Sequence, residues 1–226
     1  MRMKFDPSVY LVIGKDFTGG RDLVELVVEA VQGGVTMVQL REKEANACEF
    51  LDLARALKQA LASKSVPLLI NDNVEIARAI AADGVHLGQT DLPYAEARRL
   101  LGPNACIGLS IETREQALQA EVLDVDYLGV SPVFPSASKS DTATPWGLDG
   151  LNWLRAHTRH PLIGIGGITA ENAASVIRAG AHGVAVISAI ASAPSPRQAA
   201  QSLQCAVHSA FCNPNSDARE IPQSQT

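Results

Sequence analysis

The chain has 226 residues, enough for one large domain or two small ones, and its 46% hydrophobic content is ordinary for a globular protein. A net charge of −5 with no long Lys/Arg cluster argues against nucleic acid as a partner, since phosphate backbones are held by concentrated positive charge. No apolar run approaches membrane-spanning length, the N-terminal run is too short for a secretion signal, and Cys48, Cys106, Cys205 and Cys212 lack CxxC spacing; reduced thiols in a cytoplasmic protein are expected.

The first predicted strand is VYLVIG (9–14), followed by the helical pattern RDLVELVVEAVQ. The second, VTMVQL (35–40), runs into the charges of REKE. Strand alternation puts Met37, Gln39, Arg41 and Lys43 on one face and Val38 and Leu40 on the other. Desolvating an unpaired guanidinium or ammonium costs several kcal/mol, so the cationic face needs solvent, a carboxylate or an anionic ligand. Pairing with Glu42 and Glu44 would satisfy either cation taken alone.

Beyond the helix ACEFLDLARALKQALAS come PLLIN (67–71), ending in Asn71 and Asp72, and GVHLGQ (84–89), followed by Asp91. CIGLS (106–110) ends in Ser110, and DYLGVSP (126–132) runs into a loop with the sequence PSASKSDTATP. PLIGIGG (161–167) and GVAVIS (183–188) complete the strands, and SPRQAAQSLQCAVHSAF is the closing helix. The pairs Gly34-Val35, Gly84-Val85 and Gly183-Val184 each follow an Ala/Val-rich helix and are expected to open a strand. Eight βα units over 1–212 predict a single (β/α)₈ TIM barrel of the α/β class, and the polar, aperiodic residues 213–226 predict a disordered tail.

In such a barrel chemistry belongs at the carboxyl ends of the strands. Gln39, Arg41, Lys43, Asn71, Asp72, Asp91 and Ser110 all fall there. Asp72, Asn73, Asp91 and Ser110 also precede helical patterns and are equally readable as N-caps. GIGGIT places small residues at a strand end before a helix, where backbone amides can approach a phosphate, so Gly166, Gly167, Ile187 and Ser188 are candidates for a phosphate cradle; glycine kept for tight packing is the alternative. Arg41, Lys43 and Lys139 suggest a second anion site, and Asp72 and Asp91 offer hard oxygens to Mg²⁺ beside it. The Ser/Thr-rich loop is expected to act as a mobile lid that brings Lys139 in, unless it is only a solvated linker.

VQLREKE, LLINDNVEIARAIAADGVHLGQTDLP, IGLS, DYLGVSPVFPSASKSDT and PLIGIGGITAENAASVIRAGAHGVAVIS stand in the order and approximate spacing of the thiamine phosphate synthase family, which the chain resembles from about Val9 to Ile190. The resemblance implies a TIM-barrel transferase that joins a hydroxymethylpyrimidine diphosphate to a thiazole phosphate, carboxylated or not, with Mg²⁺ as cofactor and pyrophosphate released. It implies that Gln39, Arg41, Lys43, Asn71, Ser110 and Lys139 hold the pyrimidine diphosphate, and that Asp72 and Asp91 bind Mg²⁺. The thiazole phosphate would lie against Ser136, Ala137, Ser138, Gly167, Ile187 and Ser188. Ser136 and Ser138 replace the threonines usual in the family, keeping the hydroxyls and losing methyl contacts, and Glu112 stands where a small residue or His is more common.

No Ser/His/Asp or Cys/His arrangement is evident, in keeping with the family's dissociative chemistry, in which Arg41, Lys43, Ser110 and Lys139 are the catalytic candidates. A related thiazole tautomerase and a non-catalytic phosphate binder are the competing readings. The tautomerase would need neither the carboxylates nor the cationic trio, and pyrophosphate release with both substrates and Mg²⁺ separates all three readings.

Overall fold

The structure is a computed structural model and describes residues 5–135 and 144–213. Eight parallel strands close into a barrel in sequence order: β1 (Val9–Ile13), β2 (Met37–Leu40), β3 (Leu68–Asn71), β4 (Gly84–Leu87), β5 (Cys106–Ile111), β6 (Tyr127–Val130), β7 (Leu162–Ile165) and β8 (Gly183–Val186). The seam joins β1 to β8 through Val9–Val184, Tyr10–Ala185 and Leu11–Val186. Around it run α1 (Leu23–Gln32), α2 (Ala47–Leu61), α3 (Val74–Ala79), α4 (Tyr94–Leu101), α5 (Arg114–Ala120), α6 (Gly147–His157) and α7 (Ala170–Arg178). The last unit is split into α8 (Ser188–Ala191) and α9 (Pro196–Cys212). This is the expected TIM barrel, and the expected tail beyond Asn213 lies outside the described residues.

Strand alternation sorts the core into two layers. Val9, Leu11, Ile13, Val38, Leu40 and their counterparts face the helices, while Tyr10, Val12, Met37, Leu69, Tyr127, Ile163 and Ala185 fill the barrel. The helices present matching stripes: Leu23, Leu26, Val27 and Ala30 on α1, and Phe50, Ala54, Leu57 and Leu61 on α2. Each fully buried Leu or Ile contributes about 1.5–3 kcal/mol. Asp22 caps α1 by accepting from Glu25 N, and Asn46 and Glu49 form a reciprocal capping box on α2. Among the described residues no helix is long and apolar enough to cross a membrane, and none of the four cysteines forms a disulfide, as their spacing suggested.

Except for β5, which runs one residue further to Ile111, the strands are shorter than the apolar runs that announced them. GVAVIS stops at Val186 because the chain turns into α8, with Ile187 as its N-cap and Ser188 its first residue. PLIGIGG stops at Ile165, since Gly166 and Gly167 take positive φ (102° and 64°) that strands do not allow. Gly84 and Gly183 do open β4 and β8, where a Cβ would come within 1.9 Å of Cys106 O and Pro7 O respectively. Gly34 does not open β2: it turns the chain at φ 109°, and the strand begins only at Met37.

The residue just before each even-numbered strand performs the same task. Thr36, Asp83, Asp126 and His182 donate their amides to Val9 O, Leu68 O, Ile107 O and Leu162 O. Their side chains accept the amide of the same partner: Val9 N to Thr36 Oγ1 (3.0 Å), Leu68 N to Asp83 Oδ2 (2.8 Å), Ile107 N to Asp126 Oδ2 (2.8 Å) and Leu162 N to His182 Nδ1 (3.1 Å). Amides at the open end of the barrel would otherwise go unpaired. Lys58 and Arg98 neutralise the two aspartates at 2.7 and 3.0 Å.

Candidate active site

Pairing continues one residue past β2, because Arg41 N donates to Ile13 O at 2.8 Å. Strand parity therefore holds through Arg41, which turns inward with Gln39, while Leu40 joins the outer layer. Gly14 makes the approach possible, since a Cβ there would lie 2.2 Å from Arg41 O. Glu42, on the opposite parity, accepts from Lys15 N at 2.7 Å.

Gln39 and Arg41 line a cavity of about 40 Å³ at the carboxyl end of the barrel, together with Asn71 of β3, Ser110 of β5 and Ile187 beyond β8. Five of the residues picked out from the sequence thus converge. The same cavity is walled by His86, Tyr10 and Tyr127, which sequence reasoning did not single out. Their signal was parity: each is an aromatic residue with a polar atom at an inward position of an otherwise apolar strand. His86 Nε2 lies 2.8 Å from Ser110 Oγ, so Ser110 is held by the barrel interior and is not a cap; Thr113 caps α5 instead. Glu112 donates its amide to Gln116 Oε1, tying that loop into the same helix start.

Asp72 follows β3 at φ 62°, and its amide donates to His86 O at 2.8 Å. It is not the cap of α3; Asn73 is, accepting from Ile76 N at 2.9 Å. Asp91 accepts from Gly88 N at 2.6 Å, and Pro93 occupies the N-cap of α4. The Asp72 carboxyl is pushed up to about 6, first by burial and then by its hydrogen bond and like charge with Asp91, against the opposing pull of Lys43 and Arg41. Two carboxylates that face each other beside two cations fit a divalent ion shared with an anionic ligand. Among the described residues no group of three or more His, Cys, Asp or Glu side chains could hold a metal by itself, so ligand and water oxygens would complete the shell.

Across the mouth, Ile165 pairs with Ala185, so Gly167 and Ile187 each lie two residues beyond that pair, at the neighbouring ends of β7 and β8. Ser188 follows as the first residue of α8, where amides lack helical partners. Gly166 and Gly167 also serve packing, since their Cβ atoms would come within 2.7 Å of Pro132 Cβ and 2.6 Å of Pro135 O. Ser136, Ala137, Ser138 and Lys139, with most of the expected lid, lie outside the described residues. A larger depression of about 940 Å³ lies at the opposite end of the barrel, but its Lys58 is already paired with Asp83.

Residues 9–190 match the family described as thiamine monophosphate synthase. The chain is 52% identical over 196 residues to the thiamine-phosphate synthase of Albidiferax ferrireducens, covering 87% of this chain and 90% of that protein. It is 52% identical over 185 residues to the thiamine-phosphate synthase of Syntrophomonas wolfei, covering 82% and 88%. A solved thiamine phosphate pyrophosphorylase from Pyrococcus furiosus superposes with a TM-score of 0.83 at 34% identity, covering 91% of this chain and 98% of that one. With the family's span running from the first residue of β1 to α8, and so taking in every strand that builds the mouth, the chain belongs to the thiamine monophosphate synthase family.

Proposed function

We propose that this protein is a thiamine-phosphate synthase, a transferase of thiamine biosynthesis that joins a hydroxymethylpyrimidine diphosphate to a thiazole phosphate and releases pyrophosphate. The observation that carries the reading is the meeting of Gln39, Arg41, Asn71 and Ser110 at one cavity in a chain about half identical to proteins of that name. Gln39 and Asn71 are amides suited to a heteroaromatic ring, and Arg41, Lys43, Lys139 and the Ser110 hydroxyl are donors suited to a diphosphate. Gly167, Ile187 and Ser188, with Ser136, Ala137 and Ser138, would take the thiazole phosphate.

Asp72 and Asp91 would hold Mg²⁺, whose contribution when bound is to neutralise charge on the departing diphosphate. The aminopyrimidine itself stabilises the methylene cation left behind, so no nucleophile from the chain is required. Arg41, Lys43 and Lys139 stabilise the leaving group by charge, and the phosphate cradle aligns the thiazole nitrogen for attack. Cysteines outside disulfides support a cytoplasmic location, and the partners are the small-molecule substrates. The test is mass detection of thiamine phosphate, with pyrophosphate release, from purified protein and both substrates with and without Mg²⁺. Product formed only when all are present is expected; a tautomerase or a mere binder would release no pyrophosphate.

A further inference from the structure

Gln39 and Ser110 are joined by three side chains to which the proposed function gives no task. Gln39 Nε2 donates to Tyr10 Oη at 2.7 Å, and Tyr10 Oη lies 3.1 Å from Tyr127 Oη. Tyr127 Oη lies 2.9 Å from His86 Nδ1, and His86 Nε2 lies 2.8 Å from Ser110 Oγ. The barrel is shaped around this row. Tyr10 and Tyr127 are fully buried, His86 stacks on Tyr127 at 5.5 Å and 17°, and inward glycines leave the room. A Cβ on Gly108 would stand 2.1 Å from Tyr127 Cζ, and one on Gly129 would stand 2.9 Å from His86 Cε1.

A phenol has one proton to give. Burial pushes the ionisation of both tyrosines to higher pH, so both keep that proton. Tyr10, accepting from the Gln39 amide, has its proton left for Tyr127, and Tyr127 then has its own for His86 Nδ1. An imidazole that accepts at Nδ1 and is neutral carries its proton at Nε2, facing Ser110 Oγ. The Ser110 hydroxyl is then free to donate elsewhere.

We infer that Tyr10, Tyr127 and His86 are positioning residues, a one-way hydrogen-bond relay that frees the Ser110 hydroxyl to donate to the diphosphate of the first substrate and leaves Gln39 Oε1 as an acceptor for its amino group. The inference rests on the substrates proposed above. Reversed polarity, with the Gln39 amide turned over, would make Ser110 donate to His86 and present only lone pairs to an anion.

The direction is read without substrate by long-range ¹H–¹⁵N correlation on the labelled wild-type chain, the His86 signal being identified by its loss in His86→Gln. A proton on Nε2 and a bare Nδ1 are expected; a proton on Nδ1 overturns the relay. In turnover, Tyr127→Phe is expected to lower kcat about tenfold, the worth of one hydrogen bond to a charged group, with KM for the thiazole phosphate unchanged. It should do nothing further once Ser110 is alanine. A full additional loss in the Ser110→Ala background would mean that Tyr127 acts elsewhere, against the inference.

Should Tyr127→Phe fold poorly, His86→Gln, whose amide can still donate to Ser110, is expected to keep more turnover than His86→Leu; equal turnover overturns the relay. Wild-type protein that makes no thiamine phosphate, yet carries the proton on Nε2, would remove the diphosphate assignment and leave the direction standing.

Discussion

Asp72 sits at φ 62°, a conformation that aspartate and asparagine enter more readily than other residues bearing a side chain. That makes Asp72→Asn a clean probe, since it keeps the turn and removes the charge. Without metal, between 3.8 and about 6 the folded chain holds a proton that the unfolded chain has lost. This contribution to stability is full below 3.8 and is lost as pH rises through about 6. With Asp72 as the proposed Mg²⁺ ligand, the ion would compete with that proton, so it should raise Tm more at about pH 7.5 than at about pH 5, as thermal melts at both would record. Asp72→Asn should match or exceed the wild-type Tm without metal at the higher pH while weakening Mg²⁺ activation at least about tenfold. Lys139→Ala should lower kcat about a hundredfold, the scale of one lost transition-state donor, with little change in thiazole phosphate affinity by calorimetry. Loss of that affinity alone would move Lys139 to the other substrate.

The barrel's elements were legible to different degrees. All eight strands could be read, because each is an apolar run between turn residues, and Gln39, Arg41 and Ser110 followed from their places at strand ends. The interior row was not, since Tyr10, His86 and Tyr127 look like strand residues until their parity is asked. Nor was the fourfold amide lock, where Thr36, Asp83, Asp126 and His182 do one job with three chemistries. That difference has a consequence at β7. His182 accepts from Leu162 N only while Nδ1 is bare, and burial, with Arg155 nearby, holds its ionisation below the usual 6.5. The unfolded chain therefore takes the proton first, so this stability is present above 6.5 and is lost as pH falls below it. Between about pH 7 and 5 the wild type should lose about 2–4 °C more in Tm than His182→Asn, which keeps an acceptor and cannot titrate; that is the scale of one hydrogen bond.

The molecule as a whole is held by its outer layer more than by the barrel's interior, much of which is given to glycines and polar side chains. α9 closes the helical ring by packing on α1 and α7, with Ala200, Leu203, Val207 and Ala210 buried. Leu203→Ala should cost about 2–5 kcal/mol, read as a lower urea midpoint at unchanged m-value. The seam between β1 and β8 bears on how the protein is made. Val9 must find Val184, and the roughly 175 residues between them take about 9–35 s to synthesise at about 5–20 residues per second. For that interval β1 leaves the ribosome with one edge lacking its native neighbour, the kind of edge that recruits other chains. Slow translation therefore lengthens exposure at one identifiable place, and a chaperone that shields the segment VYLVI would act where the growing chain is most open.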